Sequence, residues 1–186
     1  ILEIMGRIPR HEFVLPELRA YAYLDEPLPI GFDKTISQPF IVALMTDLLA
    51  PGPDDQVLEI GTGLGYQAAV LAGLAGHVYS VEIIAALEAQ ASERLARLGF
   101  VNVETRCADG NLGWPEFAPF DGIIVTAAPD LIPPALLVQL KSGGRMDVPA
   151  GIQDAQQLML VEKDASGSLK TAEIMPVRFG ALETVN

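Results

Sequence analysis

Two stretches of this chain have the residue types and spacing for chemistry. The first runs Glu59-Ile60-Gly61-Thr62-Gly63-Leu64-Gly65. Glycines let a ligand approach the backbone closely and permit positive φ. A strand that runs into such a turn and on into a helix makes a nucleotide-type site at its carboxyl end. The dinucleotide fingerprint G-x-G-x-x-G requires glycine at position 66, where this chain has Tyr66. Glu59 would repel a pyrophosphate but not a ligand carrying an ammonium, which tilts the reading from NAD toward S-adenosylmethionine (SAM). Glu82, at the end of the next strand, can accept hydrogen bonds from both hydroxyls of a ribose, a need shared by both ligands. Asp109-Gly110, after a third strand, offers an acid where an adenine amino group could be read. Each acid alone could equally cap the following helix; three at successive strand ends, beside the glycine turn, favour a site. The second stretch is Thr35-Ile36-Ser37-Gln38-Pro39. Ser37 is either the N-cap of a helix with proline in its first turn or a group that handles substrate.

The elements that hold these residues follow from periodicity. Phe40, Leu44 and Leu48, with Ile41, Met45 and Leu49 beside them, predict an amphipathic helix from Pro39 that ends at Pro51-Gly52-Pro53. Before it, Ile1–Met5 reads as a helix already in progress, which leads us to expect a segment upstream. A short helix is expected from Pro16 to Tyr23, and Pro27–Gly31 reads as loop. After it, strands are expected at Gln56–Ile60, His77–Glu82, Val103–Cys107, Asp121–Thr126 and Arg145–Pro149. Helices are expected at Tyr66–Ala75, Ile84–Leu98 and Leu131–Leu140. Strands alternating with helices predict an α/β fold, a doubly wound, mostly parallel sheet covered on both faces. Gln157–Lys163 and Leu169–Phe179, around a glycine-bearing turn, predict a C-terminal antiparallel hairpin on its edge.

The 186 residues include 12 Lys and Arg against 24 Asp and Glu, a formal net charge of −12. That balance disfavours contact with nucleic-acid backbones or anionic lipid. Half the residues are hydrophobic and 19% are charged, as in a globular chain. Cys107 is the only cysteine, which suits a reducing cytoplasm. No apolar run approaches the roughly 20 residues of a membrane span, and no signal-peptide pattern is expected at the start. His11 and His77 fall in unrelated places, so no metal site is expected.

The chain resembles the protein-L-isoaspartate O-methyltransferases. The likeness lies in 28–39 (LPIGFDKTISQP), 57–66 (VLEIGTGLGY), 108–114 (ADGNLGW), 119–128 (PFDGIIVTAA), 140–145 (LKSGGR) and 176–179 (PVRF). It departs at Phe32-Asp33-Lys34, where many members carry a glycine-containing triplet, and at Asp147, where an apolar residue is commoner. The resemblance implies one SAM-dependent methyltransferase domain over 1–186, with 1–50 as a helical, substrate-side segment and 51–186 as the cofactor-binding sheet. It implies transfer of the SAM methyl group to the free α-carboxylate of L-isoaspartyl residues in damaged proteins and peptides, leaving S-adenosylhomocysteine. The ester then closes to a succinimide that can reopen correctly. Ser37 is implied as the catalytic residue, positioning the acceptor and not acting as nucleophile. The implied cofactor-binding residues are Thr35, Ile36, Glu59, Gly61, Thr62, Gly63, Gly65, Glu82, Asp109, Gly110 and Thr126. Thr126-Ala127-Ala128 leaves room for a peptide. Arg178 is equally a peptide contact or an edge-strand charge, Lys34 is similarly open, and Trp114 is either a pocket wall or core. Rival readings are a nucleic-acid methyltransferase, a NAD-dependent oxidoreductase and a non-catalytic SAM-binding module.

Overall fold

A computed structural model describes residues 1–184; Val185 and Asn186, which the one-domain reading includes, lie outside the described residues. The chain opens with helix α1 (Leu2–Arg7) and two 3-10 turns, Arg10–Phe13 and Pro16–Tyr21. The second turn stands where a short helix was expected. Residues read as loop instead form β1 (Leu28–Gly31), paired antiparallel with β2 (Lys34–Ile36). Helix α2 (Pro39–Leu49) follows, and Ala50 ends it in the left-handed conformation, φ 50°.

The main sheet is built from β3 (Gln56–Ile60), β4 (His77–Glu82), β5 (Val103–Cys107), β6 (Phe120–Val125), β7 (Leu140–Ala150), β8 (Gln156–Lys163) and β9 (Leu169–Val177). Its order is β5-β4-β3-β6-β7-β8-β9. The pairs from β5 through to β7 are parallel, and β7–β8 and β8–β9 are antiparallel. Helices α3 (Tyr66–Ala72), α4 (Ala85–Arg97) and α5 (Pro134–Gln139) join the parallel strands.

The apolar strand residues explain this arrangement. Val57 and Ile124 face one buried cluster with Val42, Met45, Val70 and Leu95. Leu58, Ile60, Ile123 and Val125 face another with Leu136, Met146 and Val148. Alternate residues of β3 and β6 thus feed opposite faces, and apolar layers cover both. Trp114 belongs to the second cluster, edge-on to Tyr79 at 5.6 Å between ring centres, so it is core. Asp147 lies in β7 between Ile124 and Leu160, fully buried. Among the described residues, neither of its oxygens has a hydrogen-bond partner. Burial pushes its pKa well above the usual carboxylate range.

Candidate active site

The strand order reverses between β3 and β6, and in open α/β sheets ligands bind in the crevice that such a reversal leaves. Here a cavity of about 630 Å³ stands at the carboxyl ends of β3, β4 and β6. Ile60, Gly61, Gly63, Glu82 and Thr126 form its floor. The floor is held by backbone: Gly61 N donates to Val81 O at 2.8 Å and Thr126 N to Ile60 O at 2.8 Å. Thr126 Oγ1 also donates to Gly61 O at 2.7 Å. Gly61 and Gly63 both have positive φ, 97° and 55°. A Cβ on Gly61 would collide with the Thr126 hydroxyl, so glycine is required there by packing as well as by φ.

Glu82 is nearly buried and sits in the cavity wall. Its Oε2 accepts from Gly63 N at 2.8 Å and its Oε1 from Ile84 N at 3.0 Å. Each carboxylate oxygen has two lone pairs, so both can still accept a ligand hydroxyl. The glycine turn is thereby tied to the acid expected to read a ribose.

Five expected site residues lie elsewhere. Glu59 does not reach the cavity: it is fully buried behind the turn, accepting from Ser80 Oγ. Ser80 Oγ in turn shares a 2.6 Å bond with Thr62 Oγ1. Burial pushes the Glu59 pKa up to about 8, against the Ser80 hydrogen bond, with the Glu82 charge adding to the rise. Burial thus favours the neutral form of Glu59, which weakens the repulsion of pyrophosphate argued from its charge. Asp109 does not line the cavity either; its Oδ1 accepts from Asn111 N and Nδ2, both at 2.9 Å, capping a 3-10 turn. The neighbouring Gly110 lines the cavity in its place. Gly65 starts α3 with φ 94°, and a Cβ there would meet Leu95 at 3.2 Å, so its role is to seat α3 against α4. Thr62 and Ile36 face a small crevice beneath Thr35, Ser37 and Thr126, and not the main cavity.

Thr35 and Ser37 line the opposite wall. Ser37 is not the helix cap: the N-cap of α2 is Gln38, with no side-chain cap bond. Asp25 Oδ1 reaches across instead, accepting from Phe40 N at 2.8 Å. The Ser37 hydroxyl, relieved of capping, makes no hydrogen bond to the described residues. Arg10 fixes the Ser37 backbone, a link that sequence reading missed. Its buried guanidinium donates from Nη2 to Ser37 O at 2.7 Å and from Nε to Ala22 O at 2.8 Å. It also stacks over the Tyr66 ring at 4.6 Å. Burial lowers the Arg10 pKa, and no sequence pattern marks an arginine for such a place.

The third wall is the segment after β9, also unexpected in this role. Gln156 clamps it in both directions, accepting from Phe179 N at 2.6 Å and donating to Phe179 O at 3.0 Å. Ala181 bridges to Ala128 at the end of β6, with Ala128 N donating to Gly180 O at 2.7 Å. Lys34 reaches from the β1–β2 hairpin to pair with Glu183 across the cavity. Arg178 lies past the end of β9 and lines the cavity, so it does not guard the sheet edge.

A reversed α/β sheet with this floor, an acid at the end of its second parallel strand and no dinucleotide spacing defines a SAM-type methyltransferase. Comparison with known proteins narrows the class. Residues 1–185 match the family described as Protein-L-isoaspartate(D-aspartate) O-methyltransferase. The chain is 64% identical over 183 residues to Protein-L-isoaspartate O-methyltransferase 1 of Polaromonas sp. strain JS666, covering 98% of this chain and 78% of that one. Against protein-L-isoaspartate O-methyltransferase 2 of Syntrophobacter fumaroxidans it is 61% identical over 180 residues, covering 96% and 73%. A solved protein-L-isoaspartate O-methyltransferase superposes with TM-score 0.84 at 34% identity, covering 94% of this chain, which spans 58% of that structure's length. A Plasmodium falciparum structure described as a beta-aspartate methyltransferase in complex with S-adenosyl-L-homocysteine gives TM-score 0.81 at 21% identity, covering 95% and 86%. The chain belongs to the protein-L-isoaspartate O-methyltransferase family, SAM-dependent protein carboxyl methyltransferases that act on isoaspartyl residues.

Proposed function

We propose that the cavity runs the family's reaction with its floor holding SAM and its Ser37 wall holding the isoaspartyl α-carboxylate. The observation that carries this reading is the pairing, across one cavity, of a Glu82-anchored glycine turn with an uncommitted serine hydroxyl. Glu82 takes the ribose hydroxyls, Gly61 and Gly63 admit the ligand against the backbone, and Gly110 and Thr35 flank it. Bound there, SAM supplies an electrophilic methyl group on a cationic sulfur.

The chain's own part is placement. An α-carboxylate is ionised at neutral pH, so no side chain has to withdraw a proton. Ser37 donates a hydrogen bond to one carboxylate oxygen and leaves the other aimed at the floor. Orientation of this kind supplies up to roughly 7–11 kcal/mol of a barrier. Water kept out by the segment 175–183 strengthens the attraction between carboxylate and cationic donor, because opposite charges interact more strongly at lower dielectric. Thr126 and Ala127 are small enough to let the acceptor backbone pass.

We read residues 1–50 as the acceptor side of a single domain and the rest as its cofactor side. The acidic net charge of −12 supports a protein substrate over nucleic acid or anionic membrane. A cytoplasmic setting is supported by the free, exposed Cys107. The test is incubation with methyl-labelled SAM and matched peptides containing aspartate or isoaspartate. Base-labile label on the isoaspartyl peptide alone is expected; base-stable label, or label on both, overturns the reading. Ser37→Ala should lower turnover at least tenfold, while calorimetry finds SAM affinity within about twofold of the parent.

A further inference from the structure

The mouth of the cavity carries a feature that methyl transfer alone does not require. Phe32 and Asp33, at the tip of the β1–β2 hairpin, are both left-handed, with φ 54° and 55°. Consecutive positive φ values make the hairpin turn that asparagine and glycine favour. A side chain with a Cβ in that conformation is strained, and such strain persists where something else requires the residue. Phe32 is unfavourable a second time, because its side chain is 55% exposed. None of the ring contacts among the described residues involves it.

The tip overhangs the site, since Asp33 and Lys34 line the cavity. Phe40, 49% exposed, lines it from the start of α2. The backbone there is fixed by the Asp25 carboxylate, which accepts from Phe40 N, and by the Arg10 bond to Ser37 O. Exposed Phe40, with Phe32 next to Asp33 at the hairpin tip, gives the cavity an apolar ledge on the Ser37 side. It is continuous with the wall where the reacting carboxylate is held. A protein of net charge −12 has no general attraction for an acceptor that is itself an anion. Apolar contact beside the reacting group can supply the missing affinity.

We propose that Phe32 and Phe40 receive aromatic or aliphatic side chains flanking the isoaspartyl residue, so that the enzyme selects damage within apolar stretches of an unfolded chain. This rests on the methyl-transfer reading above and names what the acceptor side selects. Segments of that kind are buried in folded proteins and come within reach only when the substrate unfolds.

The test uses two isoaspartyl peptides, one with phenylalanine and one with serine at the flanking positions, and the parent enzyme beside Phe32→Gly and Phe32→Leu. The parent should show kcat/KM about tenfold higher for the phenylalanine peptide, equivalent to about 1.4 kcal/mol. In Phe32→Gly that ratio should fall below about threefold through KM, with kcat on the serine peptide unchanged. Relief of the strained turn should raise its Tm by about 2–4 °C. Phe32→Leu should keep most of the ratio without the gain in Tm. A parent ratio of one overturns the proposal, as does a ratio untouched by Phe32→Gly. If Phe32→Gly dissociates a dimer in sedimentation while the ratio stays the same, the ledge serves a second copy of the chain and the proposal fails. A parent that methylates neither peptide overturns the methyl-transfer reading itself.

Discussion

On the floor of the cavity, Gly61, Gly63, Glu82 and Thr126 stand at the ends of neighbouring parallel strands, and backbone hydrogen bonds set their spacing. On the opposite wall, Ser37 lies in an irregular stretch whose position depends on Arg10, Asp25 and Lys34, residues far from one another in sequence. The floor is thus placed by the sheet, and the wall by a few side-chain links. The two should fail differently: damage to the floor should weaken cofactor binding, and damage to the wall should slow turnover while the cofactor still binds.

The largest expected effect is on the wall. Arg10→Met strips a charged donor from two carbonyls in a buried place, a loss of about 3 kcal/mol in chemical denaturation. The protein that remains folded should turn over at least tenfold more slowly with S-adenosylhomocysteine affinity within twofold. An equal fall in both would dissolve the distinction between wall and floor. Next comes the floor. Glu82→Gln sets an amide donor against Gly63 N or Ile84 N, and S-adenosylhomocysteine should bind about 10- to 100-fold more weakly, with KM for the isoaspartyl peptide unchanged.

Asp147, outside both, is a control on stability. Its folded-state pKa is raised, so the proton is held more tightly folded than unfolded. Its contribution is full below the unfolded value of 3.8 and is lost as pH rises toward the folded value. Glu59 acts in the same direction between 4.5 and about 8. Asp147→Asn should therefore flatten the fall in stability across this range and gain about 1–2 kcal/mol at pH 8, with activity unchanged. The smallest effect belongs to Lys34→Gln, which opens the pair with Glu183 at a stability change under about 1 kcal/mol, and added salt should mimic it.

The same contrast decides what could be read from the sequence. Strands β3 and β4 fall where the apolar runs predict them, because buried parallel strands carry their own signal, and β5 also falls where expected although it is an edge strand with no buried residue. The hairpin of β1 and β2 was hidden by Pro27, Pro29 and Gly31, and by a turn made of Phe32 and Asp33 where asparagine or glycine would announce it. Strand β7 begins at Leu140 and not at Arg145, since Gly143-Gly144 reads as the break after a helix. The glycine turn and Glu82 were legible because spacing alone defines them. Glu59 and Asp109 do not line the cavity they were expected to face, since a strand-end acid can point either into the crevice or behind it, and spacing is silent on which. Arg10 could not be found at all, and the closing segment only through Arg178, left open between a peptide contact and an edge charge, for their roles exist only once distant parts of the chain meet.

Asp109-Gly110 is one of the aspartyl–glycyl steps that age in proteins, where the carboxyl carbon is captured by the following nitrogen. The glycine cannot be exchanged for a bulkier residue, because a Cβ there would run into Ile60. The clasp of Asn111 on the Asp109 carboxylate, through two bonds of 2.9 Å, must be surrendered before that ring can close. The repair enzyme thus carries a spot of the kind it mends in the rim of its own reaction chamber, and keeps it fastened.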